Sequence, residues 1–277
     1  MGFAVVMIVI CVIAGNRNIR MAKGKADGNE MTLETVRDSL IRQEDTIIFS
    51  LVERAKYPIN SPTYHESYAS IPGFSGPLID FFVKETEALQ AKAGKYQNPE
   101  ERPFFPDHLP SSLVPPYEYP LILHPAANSI NVNKKIWDMY FNKLLPMLAA
   151  PGDDGNYAST ASSDLFCLQA ISRRIHYGNF VAEVKFKDAP KDYEPAIRAQ
   201  DREALMKLLT FEAVEKMVVE RVEKKTMTFA QEVKLNSSSG DNTNYKVIPS
   251  VVAQLYQDWI MPLTKLVEVE YLLRRLD

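Results

Sequence analysis

Apolar side chains recur every three or four residues along most of the chain, with charged side chains between them, which is the period of an amphipathic α-helix. Between Leu33 and Arg54 this pattern predicts a helix of about six turns, and Pro58 ends it. The same pattern predicts helices over residues 78–96, 131–149, about 159–187, 193–208, 211–233 and 249–276, the last with a break or kink at Pro262. No alternating run of apolar and polar residues indicates a strand ladder.

Residues 99–125 interrupt the helical pattern with eight prolines. Proline lacks an amide proton and is excluded from helix interiors, so this stretch is expected to be a long irregular connection. Helical patterns resume on both sides without a change in composition. The sequence therefore predicts an all-α, single-domain helical bundle over residues 31–277, crossed by one long Pro-rich connecting loop.

The first 30 residues look different from the rest. Phe3 to Ala14 is an unbroken apolar run, which is shorter than the roughly 18–20 residues of a membrane span. Its length suits the core of a signal peptide or a signal anchor, but its positive charges follow it instead of preceding it. The other interpretation, preferred here, is a non-native upstream extension, with Met21 or Met31 as the working start. No Ser- and Arg-rich transit peptide is visible, which argues against a plastid location.

Composition and charge exclude several classes of function. The net charge of −3 gives no electrostatic basis for binding nucleic acid. The two cysteines, Cys11 and Cys167, form no disulfide framework, and the four histidines have no metal-ligand spacing. No nucleophile elbow, P-loop or dinucleotide fingerprint is present. The chain is therefore either a non-enzyme or an enzyme whose catalysis needs no nucleophile and no metal.

A few charged residues suggest a site for an anion. Arg174 and Lys185 are eleven residues apart, so on one helix they project within roughly 20° of each other. Thr264 and Glu268 form an i, i+4 pair flanked by apolar residues, and a carboxyl in such surroundings favours its protonated form. Arg37 is the first cation of the first helix. The alternative for all of them is an ordinary solvated or salt-bridged helix face, which the spacing alone favours.

Five long segments together resemble the eukaryotic all-helical chorismate mutases, most closely the plant cytosolic type. They occur in order and cover nearly all of residues 31–277, which makes them far more specific than a short motif. The segments are Ile41–Pro58, Pro99–Pro106, Pro151–Phe186, Asp192–Glu215 and Leu263–Asp277.

The resemblance implies a set of catalytic residues. Arg37 and Arg174 match the arginines that hold the two carboxylates of the substrate, as planar guanidinium groups do well. Lys185 matches the lysine that reaches the ether oxygen of chorismate and a carboxylate. Glu268 matches the acid that hydrogen-bonds this oxygen from the other side, and Thr264 lies one turn before it.

Further expectations follow from the same resemblance. Glu215 matches the acid that accepts a hydrogen bond from the ring hydroxyl of the substrate. Arg221 is a weaker match, to a residue that supports the site without contacting the substrate. Phe211 departs from relatives that place an asparagine there. The resemblance implies a cytosolic homodimer that converts chorismate to prephenate, in phenylalanine and tyrosine biosynthesis, without a cofactor or a metal. The alternatives are a secreted chorismate mutase and a catalytically silent helical interaction module.

The regulatory positions of the family are less well matched. Regulated members bind tryptophan or tyrosine through paired basic residues, a Gly-Ser turn and a threonine before the last helix. Here Gly94-Lys95 precedes Tyr96, Ala158 replaces the glycine of the turn, and Ile248 replaces the threonine. These departures predict weak or no allosteric regulation by aromatic amino acids.

Overall fold

The computed structural model describes residues 31–66, 71–232 and 244–277. The predicted all-α fold is confirmed, because the described residues contain helices and a single isolated bridge, between Gln231 and Tyr245, but no strand. The helices are α1 (Leu33–Arg54), α2 (Leu78–Lys92), α3 (Asn133–Met139), α4 (Leu145–Leu148), α5 (Tyr157–His176), α6 (Gly178–Asp188), α7 (Pro190–Arg198), α8 (Arg202–Leu209), α9 (Glu212–Phe229), α10 (Pro249–Leu255) and α11 (Met261–Leu273). The predicted extension over residues 1–30 lies outside the described residues, so its boundary stays a prediction.

Local chemistry explains where several helices begin and end. Thr32 caps α1, because its hydroxyl accepts from the Thr35 amide and the Thr35 hydroxyl accepts in return from the Thr32 amide. Gly94, in the left-handed conformation at φ 84°, follows the end of α2, which is shorter than predicted. The helix predicted over 193–208 is two helices instead, since Gln200 at φ 52° and the capping residue Asp201 separate α7 from α8.

Two prolines are accommodated by wide helical turns. A π-helical turn over Tyr140–Leu144 joins α3 to α4 and ends two residues before Pro146, and a second over Tyr256–Ile260 joins α10 to α11 ahead of Pro262. Proline cannot donate to the preceding turn and its ring crowds the carbonyl four residues back. The wider i→i+5 turn relieves this conflict. The chain stays helical through Pro262, so there is no break there, and the irregularity near this proline is the π-helical turn that precedes it.

The long helix predicted over about 159–187 is also divided. Helix α5 ends at His176 and α6 begins at Gly178, with Tyr177 between them. Tyr177 keeps a right-handed helical conformation (φ −61°, ψ −13°), so the chain continues in nearly the same direction. The consequence is that residues of α5 and α6 still face α11 together.

The Pro-rich connecting loop is tied to α2 by a buried acid. Both carboxylate oxygens of Glu87 accept from the Phe104 amide, and one of them also accepts from the Phe105 amide, at 2.9–3.0 Å. The two phenylalanine rings pack on Trp137. A long connection without regular structure is thus held in place by side-chain to backbone hydrogen bonds, which satisfy amides that no helix would satisfy.

One large hydrophobic core extends through the bundle. Helix α11 packs against α5, α6 and α8, while α1 packs against α5, α6 and α9. Fully buried residues of this core include Ile47, Leu168, Ile171, Leu255 and Val267. Among the described residues, none of the helices has the length and apolar character needed to cross a membrane.

Candidate active site

Four of the residues singled out in the sequence meet between α5, α6 and α11. Arg174 Nη1 donates to Thr264 Oγ1 at 3.3 Å, and Lys185 Nζ donates to Glu268 Oε2 at 3.0 Å. All four side chains are largely buried. The two cations therefore face the same i, i+4 pair of α11, although the helix predicted to carry both of them is divided at Tyr177.

A glycine allows α6 and α11 to approach each other at this point. A Cβ atom at Gly178 would lie 2.9 Å from the Thr264 carbonyl oxygen, 3.2 Å from Thr264 Cγ2 and 3.4 Å from Glu268 Cγ. Only glycine fits against the backbone of α11 at these distances. The close packing brings Lys185 within hydrogen-bonding distance of Glu268.

Burial shifts the acid–base properties of the site. Burial raises the pKa of the Glu268 carboxyl, and the nearby ammonium of Lys185 opposes this shift only in part. Burial lowers the pKa of the Arg174 guanidinium, against the influence of Glu44 and Glu268. The Arg174 Nε atom is buried and has no hydrogen-bond partner among the described residues. A cation with unused donors and an acid that tends to stay protonated are suited to binding and polarising an anionic ligand.

Arg221 does not reach this group but binds a second buried acid. Its Nε donates to Glu44 Oε2 at 2.9 Å, and Lys225 Nζ lies 3.1 Å from the same oxygen. Glu44 is fully buried, and its charge acts on Arg174. Sequence reasoning missed Glu44 and Lys225. The available signal was the position of Glu44, two helical turns after Arg37 on the same face of α1.

Glu215 lies at the edge of the site and is already paired. Lys265 Nζ donates to Glu215 Oε1 at 2.8 Å and lies 3.4 Å from the Thr210 hydroxyl. Lys265 was not singled out in the sequence either, although it directly follows Thr264. Phe211 is one turn before Glu215, with its ring 5.5 Å from Lys185 Nζ and 55% of its surface exposed.

Arg37 is the one predicted catalytic residue that the structure does not bring to the others. Its side chain is exposed on α1 and makes no hydrogen bond or ion pair with another described residue. Its helix nevertheless borders the site, because α1 packs against α5 and α6 and the charge of Glu44 on α1 acts on Arg174. The Tyr256 hydroxyl from the π-helical turn before α11 is fully buried, again without a partner in the described part of the chain.

Comparison with known proteins defines the class to which this fold and site belong. The family model for chorismate mutase type II matches residues 156–269. Chorismate mutase 2 of Arabidopsis thaliana is 63% identical over 256 residues, covering 92% of this chain and 97% of the relative. Chorismate mutase 2, cytosolic, of Zea mays is 54% identical, covering 91% and 99%. The chain belongs to the chorismate mutase family.

Solved structures agree with this assignment. The crystal structure of AtCM1 with phenylalanine bound in the allosteric site has a TM-score of 0.82 at 57% identity, covering 91% of this chain and 99% of that one. The Candida albicans chorismate mutase in complex with L-Trp has a TM-score of 0.82 at 38% identity, covering 88% and 91%. The protein is accordingly an isomerase with chorismate mutase activity.

The predicted lack of regulation is wrong. Structures of AtCM1 hold phenylalanine or tyrosine in an allosteric site, and the Candida albicans structure holds tryptophan. The structure gives one of the departures on which the prediction depended a local explanation. Gly94 adopts φ 84°, and a Cβ there would come within 2.6 Å of Val114 Cγ2, so the turn itself favours glycine at this position.

Proposed function

We propose that chorismate binds between α5, α6 and α11, with Arg174 holding one of its carboxylates. Lys185 and a protonated Glu268 then donate hydrogen bonds to the ether oxygen from two sides. The observation that carries the proposal is the buried contact of 3.0 Å between Lys185 Nζ and Glu268 Oε2, where burial favours the neutral acid. Thr264 supports Arg174 through the hydrogen bond of 3.3 Å.

The chemistry needs no further groups. Conversion of chorismate to prephenate is a pericyclic shift within one molecule, in which the breaking C–O bond leaves negative charge on the ether oxygen. The enzyme accelerates it by holding the reactive chair-like conformer and by aiming donors at that oxygen. Cations and acids at fixed positions can do both without a covalent intermediate, a metal or a cofactor.

The remaining residues are given supporting roles. Arg37 binds the second carboxylate from the exposed face of α1, and Glu215 accepts from the ring hydroxyl. Arg221 keeps the buried charge of Glu44 neutralised, which leaves the guanidinium of Arg174 available to the substrate. The ion pair of 2.9 Å between Arg221 and Glu44, beside Arg174, supports this last role.

The test follows chorismate by ultraviolet absorbance. Arg174→Ala and Lys185→Ala are expected to lower kcat/KM by at least about 10²-fold, the usual effect of removing a donor that acts on the transition state. Arg198→Ala is the matched control, because Arg198 is an exposed cation on α7 whose one ion-pair partner in the described part of the chain is Glu194. Folded Arg174 and Lys185 variants with the activity of the control would refute the assignment of the site.

We infer a homodimer from an exposed apolar surface. Leu89 on α2 is 68% exposed and Phe166 on the adjoining α5 is 47% exposed. Burial of two large apolar side chains against a second copy would remove this surface from water. Sedimentation of the protein beside a Leu89→Glu, Phe166→Glu variant tests the inference, with the variant expected to be monomeric. A monomeric parent protein would contradict it.

We propose a cytosolic location and control by an aromatic amino acid, both on the basis of relatives. The Zea mays relative is called cytosolic, and the AtCM1 structures carry phenylalanine or tyrosine in an allosteric site. Cell fractionation tests the location. Measuring the initial rate against chorismate concentration with added phenylalanine, tyrosine or tryptophan tests the control. If none of the three amino acids changes the chorismate concentration at half-saturation, the proposed control is contradicted. Neither the fractionation nor the amino acid titration depends on which residues bind chorismate.

A further inference from the structure

Phe211 is an exposed aromatic side chain beside one of the proposed catalytic groups. It is the residue before α9 begins, and its carbonyl oxygen accepts from the Glu215 amide at 3.0 Å. The residue is 55% exposed, and the Lys185 ammonium lies 5.5 Å from the ring centroid. No packing requirement of the core explains an aromatic residue here.

The ring gives Lys185 a second partner of a different kind from Glu268. A carboxylate or an amide oxygen attracts an ammonium group by accepting one of its three N–H donors. An aromatic face attracts the same charge through its quadrupole and needs no donor hydrogen to do so. Lys185 already gives one donor to Glu268 at 3.0 Å. A ring as second partner therefore leaves the other donors available for a bound ligand.

The surroundings make such an arrangement effective. The Lys185 side chain is only 18% exposed, and that of Glu268 is 6% exposed. Cation–ring attraction strengthens as water is excluded from the cation. The ring also occupies space next to the ammonium that water would otherwise fill. Water in that space would accept hydrogen bonds from the same donors.

We propose that Phe211 is a positioning residue for Lys185: its ring holds the ammonium in a fixed orientation without accepting a hydrogen bond, and so keeps donors directed at the reacting ether oxygen. The inference depends on the proposed role of Lys185. Phe211 itself donates nothing to the substrate. Its effect is therefore expected in kcat, where the charge on the ether oxygen develops, more than in KM.

The experiment replaces Phe211 with phenylalanine analogues carrying one, two and three fluorine atoms, which weaken the negative face of the ring at nearly constant volume. The logarithm of kcat is expected to fall stepwise with each fluorine. Phe211→Leu should lower kcat by about 3- to 10-fold, the size expected of one such contact. Phe211→Tyr and Phe211→Trp should retain activity. Thermal midpoints of all variants should agree, because the side chain is exposed.

The controls separate this inference from the site proposal. In a Lys185→Met background the fluorine series should leave the residual rate unchanged, since the cation is gone. A series that is flat in the parent enzyme, or equally steep in the Lys185→Met background, would overturn the role of Phe211. Full activity of Lys185→Met itself would instead refute the proposed role of Lys185. Phe211→Leu with an unchanged kcat and a raised KM would show that the side chain only covers the substrate.

Discussion

Gly178→Ala is the smallest change that should disturb the site without removing any of its functional groups. The new Cβ atom would lie 2.9 Å from the carbonyl oxygen of Thr264 and 3.2 Å from its Cγ2 atom. Comfortable contacts of this kind require about 3.5 Å. The first neighbour is backbone and cannot rotate away, so α6 and α11 must separate by roughly 0.5 Å.

Two effects of opposite sign decide the outcome for stability. Alanine is the better helix former, by at most about 1 kcal/mol. Forcing a methyl group into a filled space typically costs about 1–3 kcal/mol. The second effect should win because the neighbouring atom belongs to the backbone, and we expect the free energy of unfolding to fall by about 1 kcal/mol.

The effect of this displacement on kcat should be proportionally larger than its effect on stability. Lys185 and Glu268 face each other across the same helix contact at 3.0 Å. Since a misplacement of 1 Å in a catalytic group can lower the rate by about 10²-fold, half of that displacement should lower kcat about tenfold. The assay pairs chorismate consumption with urea unfolding, and adding Thr264→Ser, which removes only Cγ2, should recover part of the loss. Unchanged kcat with equal or greater stability would refute the reasoning.

Three other predictions follow from single groups. Because the protonated form of Glu268 is the proposed donor, kcat/KM should fall as pH rises through its raised pKa, while Glu268→Gln should flatten this limb; an identical pH profile in the variant would contradict the assignment. Burial lowers the pKa of His176 from 6.5 to about 4, so the folded state favours the neutral ring. This preference contributes about 3 kcal/mol to the free energy of unfolding above pH 6.5, and the contribution is lost as pH falls towards 4. His176→Gln should reduce the loss of stability over that range, and urea unfolding at pH 7 and pH 4.5 checks it, with equal losses in both proteins as the negative result. Glu87→Ala leaves the Phe104 and Phe105 amides without their acceptor, so the Pro-rich loop should be cleaved faster by protease than in a Glu85→Ala control; equal cleavage rates would contradict the anchoring role.

The all-helical fold could be predicted from the sequence because it depends on periodic features. The same periodicity placed Arg174 and Lys185 on one side of a predicted helix and Thr264 and Glu268 on one face of another. It did not predict that Arg174 would contact Thr264 or that Lys185 would contact Glu268. Family resemblance, and not spacing, supplied the roles of these groups.

Contacts between helices distant in the sequence could not be predicted in this way. Glu44 and Arg221 are 177 residues apart, and nothing in either helical pattern indicates that they meet. The same is true of Lys265 and Glu215. Helix ends were also missed where a single residue such as Gln200 adopts a positive φ, since several residue types can do so at a small energetic cost.

The π-helical turn over Tyr256–Ile260 has a consequence for how this enzyme can change in evolution. A π turn holds one residue more than an α turn, so in a gene it corresponds to a single inserted codon. Deleting one residue there would restore regular α pitch with little rotation of the residues that follow, because four residues of an α-helix turn through nearly the same angle as five of a π turn. Thr264 and Glu268 would keep facing Arg174 and Lys185, but Pro262 would then have to fit into a regular α turn. The extra residue therefore protects the accommodation of Pro262 and not the orientation of the acid that follows. Lineages that replace Pro262 should be free to lose this residue, whereas lineages that keep the proline should also keep the π turn.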